Sequence, residues 1–106
     1  GVSIGPVNYA VSSLLTISHT LGSIPSDIRL NLRCKTAELG YSIGDVIEFE
    51  PTADVYTTSV GASVMSDAAN VYVRVAPVGC YIVTKSTYVV NVITPANWEI
   101  IGRVWK

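Results

Sequence analysis

The sequence predicts an all-β fold, an antiparallel β-sandwich of about eight short strands. Three observations carry that expectation. Ile28-Arg29-Leu30-Asn31-Leu32-Arg33-Cys34-Lys35 alternates apolar and polar side chains without a break, the period of a strand with one face in a core and one in water. Short runs rich in Val, Ile, Thr and Tyr recur along the chain, separated by clusters of Gly, Pro, Asn, Asp and Ser. No longer stretch repeats its apolar residues at helical spacing.

Taken in order, 11–18 is the first strong strand and 28–35 the cleanest. Strands are also expected over 45–50, 61–65, 71–75, 81–85, 88–93 and 98–105, where Trp98 falls in phase with Ile100 and belongs in the core. Turn signals lie between them at 22–27, 51–54, 66–70 and 76–79. Only Thr94-Pro95-Ala96-Asn97-Trp98 reads as helical, a single turn with threonine able to cap and proline at the first position. Residues 1–5 open neither a strand-to-helix turn nor a phosphate loop. No internal repeat or linker interrupts the chain, so residues 1–106 read as one domain.

Gly40-Tyr41-Ser42-Ile43-Gly44-Asp45 combines an aromatic, two glycines and an acid, which suits either a small ligand site or a hinge between strands. The hinge reading is preferred. Glycine accepts backbone angles that other residues resist, and Asp45 can bond backbone groups at the turn. Tyr41 is expected to plug the corner of the sandwich with its hydroxyl on a backbone group.

Composition narrows the function. Charged residues make up 14% of the chain against roughly 25% in an average soluble domain. With so few charges, part of the surface must be apolar, which favours burial against copies of itself or a partner. The net charge of −1 argues against nucleic acid, and Arg29, Arg33 and Lys35 on one strand face read as a solvated or intersubunit face. No stretch of these residues has the pattern of a signal peptide or a membrane span; the most apolar, 71–83, is broken by Arg74 and Pro77. Because it opens at Gly1 and not at a methionine, the chain is read as a processed or excised piece.

Catalytic chemistry finds no support. His19 is the single histidine and reads as a hydrogen-bonded structural residue, with no nucleophile motif near it. Cys34 and Cys80, in separate apolar runs, read as two buried free thiols, and no metal-ligand spacing exists. Glu48 and Glu50 would share a strand face, but as solubilising residues. The expectation is no enzyme, no metal and no cofactor.

Binding or assembly remains. Six tyrosines and two tryptophans are many for a chain of this size. Trp105, in phase with Arg103 on the face opposite Trp98, should pack on a neighbouring subunit or under a loop. Trp105, Arg103, Arg29 and Arg33 are therefore the oligomer-interface candidates. The loops supply the ligand-binding candidates Asp54, Tyr56, Asp67, Asn70 and Tyr88.

At this point the chain resembles a known group. Ile17-Ser18-His19-Thr20-Leu21-Gly22-Ser23-Ile24-Pro25, then the run from Leu30 through Asp45, and the close Ile93-Thr94-Pro95-Ala96-Asn97-Trp98 with Arg103-Val104-Trp105, resemble the small β-sandwich domains of tailed-bacteriophage fibre and receptor-binding proteins. The layout is also similar to the trimeric H-type lectin sandwich, at the level of fold alone. The resemblance implies a virion component, usually a homotrimer, assembled in the host cytoplasm. The chain would then be the C-terminal part of a longer fibre protein that contacts other virion proteins and a host surface glycan or protein. No binding residue carries over, since loops are where such modules differ most. The alternatives are a capsid decoration protein or head fibre with no host-binding role, and a free soluble lectin.

Overall fold

A computed structural model describes residues 1–54 and 59–106. The strands are β1 (Val2–Asn8), β2 (Ser13–Ser18), β3 (Asp27–Cys34), β4 (Val46–Glu48), β5 (Ala62–Ser66), β6 (Asn70–Val75), β7 (Tyr81–Val83), β8 (Val90–Val92) and β9 (Trp98–Trp105). A 3₁₀ turn at Pro95–Asn97 leads into β9. One sheet has the order β1-β9-β3-β4, a second has β2-β6-β5, and β7-β8 form a two-stranded ribbon; every pairing of these strands is antiparallel. The chain is all-β, and both larger sheets feed one hydrophobic core, an arrangement compatible with a β-sandwich.

The alternation of the sequence builds that core. From the four-stranded sheet, Leu30, Leu32 and Cys34 of β3 turn inward with Trp98, Ile100 and Val104 of β9. They meet Ile17 of β2 and Val71, Val73 and Val75 of β6 from the second sheet. Trp98 is 0% exposed at the start of the central strand. Its indole N–H donates to the Glu38 carboxylate, which also accepts the Thr94 backbone N–H at 2.8 Å. A buried indole without such a partner would cost about 1–3 kcal/mol, so Glu38 is part of the core's architecture.

Three differences from the sequence-based expectation have local causes. β1 was not anticipated, because Gly5-Pro6 reads as a strand breaker. It is an edge strand whose pairing with β9 slips between Ile4 and Val7, and at an edge bulge proline removes no required ladder bond. Gly5 has φ +82°, and a side chain there would begin 2.6 Å from the Ile100 carbonyl oxygen. The strands expected over 45–50, 81–85 and 88–93 contract to three residues each, since their flanks bond elsewhere. The Lys85 N–H, for example, goes to the Leu39 carbonyl at 2.9 Å. Thr94 precedes the helical turn as expected but makes no side-chain cap bond; its N–H serves Glu38 instead.

Replacing Trp98 with Phe should cost about 2–4 kcal/mol in urea unfolding, from the vacated volume and the lost Glu38 bond. Leu14→Ala on the half-exposed edge strand β2 should cost well under half of that in the same assay.

Candidate binding surfaces

Residues 40–45 are a corner. The Ser42 carbonyl accepts the Asp45 N–H at 3.0 Å, the Asp45 carboxylate accepts the Ser42 N–H at 2.9 Å, and Gly44 takes φ +91° between them. Tyr41 plugs the corner as expected, with its ring edge-on to Trp98 at 5.6 Å and its hydroxyl donating to the Val83 carbonyl at 2.8 Å. Lys85 pairs with Asp45 at 2.9 Å. The corner therefore ties the β7–β8 ribbon to the core.

That ribbon carries the most apolar outward surface of the described residues. Register puts Tyr81 opposite Val92 and Val83 opposite Val90, all on one face and each between 41% and 56% exposed. Tyr88, at 99% exposure, and Val89 extend the patch around the turn. Ile82 and Asn91 take the other face, where the Asn91 amide donates to the Thr84 hydroxyl at 2.9 Å. An ordinary half-buried strand puts polar groups outward, and this ribbon reverses the rule. The six side chains present on the order of 500 Å², comparable to the largest patch on a typical monomer.

The outer face of the four-stranded sheet gathers all four interface candidates. Arg29 lies directly opposite Arg103, Arg33 opposite Glu99 and Asp27 opposite Trp105. Arg33 Nε donates to Glu99 Oε1 at 2.7 Å. Trp105 is half-buried with Gly1 against its indole, and Arg103 donates to the Gly1 carbonyl at 3.1 Å. A cleft of about 360 Å³ opens here beside the β1 bulge, lined by Ser3, Pro6, Asn31, Arg33, Ile101 and Arg103.

The loop candidates are not brought together as one site. The Asp67 carboxylate accepts N–H groups from Ala69 and Asn70 at 2.9 and 2.7 Å and the Tyr72 hydroxyl at 2.7 Å, while the Asn70 amide donates to the Tyr72 hydroxyl. Both side chains hold the turn between β5 and β6. The Tyr72 hydroxyl first, then the two backbone N–H groups, keep the Asp67 carboxyl below its ordinary pKa. Asp54 lines a shallow pocket with Glu50, Thr52, Val60 and Tyr81. Tyr56 lies outside the described residues. Tyr88 belongs to the ribbon patch.

His19 is buried, its ring bonded to the Asp67 carbonyl at 2.9 Å and to the Leu21 N–H at 3.3 Å. Cys34 and Cys80 are buried free thiols, and burial pushes the pKa of each upward, which disfavours a thiolate. Among the described residues no group of three or more His, Cys, Asp or Glu could hold a metal ion, and no helix is long and apolar enough to cross a membrane. No family model, curated protein or solved structure matches this chain.

Burial alone would raise the Glu38 carboxyl, but the bonds from Thr94 and Trp98 outweigh it and hold its pKa below the ordinary value. Asp45 is lowered by the Ser42 N–H and then by Lys85. A carboxyl whose folded pKa is depressed adds stability that is complete above its unfolded value, near 4, and is lost as the pH falls through the folded value. Melting temperature should therefore fall steeply on acidification below about pH 4, and Glu38→Gln, which keeps an acceptor for Trp98, should flatten that limb. An unchanged acid limb in Glu38→Gln would contradict this role.

Proposed function

We propose that this chain is a non-catalytic, self-associating β-domain of a bacteriophage virion fibre, trimeric in its working form, that meets a host surface receptor. The observation that carries self-association is the outward face of the β7–β8 ribbon, where Tyr81, Val83, Val90 and Val92 point to solvent beside Tyr88 and Val89. A patch of this size leaves unfavourable apolar hydration unless it is covered, at about 25 cal/mol per Å². Closed symmetry lets copies of one surface cover one another without open-ended growth. The outer face of the four-stranded sheet suits self-contact less well, because Arg29 and Arg103 already oppose each other there. The virion and receptor parts rest on the resemblance of residues 17–25, 30–45 and 93–105 to phage fibre domains.

One observation favours the second reading, a structural capsid or head-fibre part without a host-binding role. Asp67 and Asn70, two of the loop residues expected to meet a receptor, are committed to their own turn.

The two readings separate on partner. The purified domain should bind bacterial cells or a glycan array as an isolated oligomer; binding to empty capsids with no cell or glycan binding would establish the second reading instead. Light scattering should give a trimer mass at micromolar concentration. Val83→Asp with Val90→Lys should yield monomers with little loss of melting temperature, since both side chains are half-exposed and the new charges oppose each other across the ribbon with opposite sign. A wild-type monomer would sink both readings.

A further inference from the structure

We propose that the cleft on the outer face of the four-stranded sheet binds an acidic sugar, with the ligand's carboxylate held by Arg103 at the cleft wall and by Arg29, its cross-strand neighbour at the cleft's edge, and its hydroxyls by Asn31 and Ser3. Three features of the face lead there.

The first is a pair of like charges set side by side. In register, Arg29 and Arg103 are direct cross-strand neighbours, a like-charge placement that is unfavourable unless an anion joins them. The Arg29 side chain makes no ion pair or hydrogen bond among the described residues, and the Arg103 guanidinium reaches only the Gly1 carbonyl there. Arg33 spends its Nε on Glu99 and keeps its terminal nitrogens unengaged at the cleft wall. Glu48 and Asp27 share this side of the sheet, but neither lines the cleft nor pairs with an arginine. Guanidinium groups match planar carboxylates in a two-pronged geometry, which is the anion this pair would accept best.

The second is a built recess. Beside the register slip at Gly5-Pro6 lies a cleft of about 360 Å³, at the lower end of small-ligand pockets and large enough for one or two sugar rings. Because it is set on paired strands, its walls are positioned by the sheet and not by a free loop.

The third is the mixed wall. Asn31 brings an amide and Ser3 a hydroxyl, while Ile101 and Pro6 give an apolar floor. A sugar acid presents a carboxylate, hydroxyls and an apolar ring face, and each has a counterpart here. A bare phosphate or sulfate would use the arginines and leave the apolar floor uncovered.

The sugar part rests on the receptor-binding reading above; the anion part does not. The test is an NMR titration of the intact ¹⁵N-labelled chain with glucuronate, glucose and inorganic sulfate as separate probes. Glucuronate should shift the backbone signals of Asn31, Ile101 and Arg103, and glucose should not. Arg29→Gln with Arg103→Gln should weaken glucuronate at least about tenfold, and relief of the like-charge pair should leave the melting temperature equal or higher. Asn31→Ala should weaken it less and leave sulfate unaffected. No shift with any probe, equal response to glucose, or undiminished binding by the double arginine variant overturns the site. Sulfate binding as tightly as glucuronate overturns the sugar assignment. If glucuronate binds at this cleft while cells and glycan arrays do not bind the domain, the receptor reading fails and the anion site stands.

Discussion

The buried indole N–H of Trp98 is the constraint from which the rest of the structure follows. Trp98 opens the central strand β9 and is wholly enclosed, so its one polar atom must find a partner inside the protein. Glu38 supplies it, and the same carboxylate takes the Thr94 N–H, so one acid joins the corner after β3 to the crossing before β9. The corner then passes the constraint outward. Tyr41 packs edge-on against Trp98 and bonds to Val83, Lys85 bonds through its N–H to Leu39 and through its ammonium to Asp45, and the β7–β8 ribbon is fixed in place. A two-stranded ribbon is marginal by itself; this one is held by its attachment to the core.

That attachment explains how an apolar surface can face water without collapsing inward. The ribbon cannot turn over to bury Tyr81, Val83, Val90 and Val92, because its far side is already engaged through Ile82 and the buried Ile93. The charged groups are divided between structural pairs and the outer face of the four-stranded sheet. Asp45 with Lys85 and Arg33 with Glu99 tie elements together, whereas Arg29 and Arg103 remain opposed with no carboxylate between them. The molecule thus presents an apolar surface on the ribbon and, on the sheet face, a cleft walled by arginines.

Much of the fold was legible because its signals are local. The faultless alternation at 28–35 became β3, Trp98 in phase with Ile100 became core, and the corner role of Tyr41 and Asp45 followed from turn chemistry. What escaped depends on register or on distant partners. β1 was hidden because glycine and proline have the same local signature in a bulged edge strand as in a turn. Glu38 drew no notice, since its partners lie 56 and 60 residues away. The opposition of Arg29 and Arg103 needs the β3–β9 pairing, which no single strand reveals. The ribbon left one readable trace: in Tyr88-Val89-Val90-Asn91-Val92-Ile93 a single polar residue sits among five apolar ones, too few to cover an outward face. Asp67 and Asn70 read as ligand candidates because turn-forming and ligand-binding residues are the same residue types, and the structure shows the turn bonds they make.

If the ribbon serves self-contact as proposed, the sheet face stays open when copies associate. Backbone hydrogen exchange followed across protein concentrations tests it most directly. Amides of residues 81–92 should gain protection as concentration rises, while those of residues 29–33 and 99–103 keep their rates. Protection gained across the sheet face with the ribbon unchanged would contradict it.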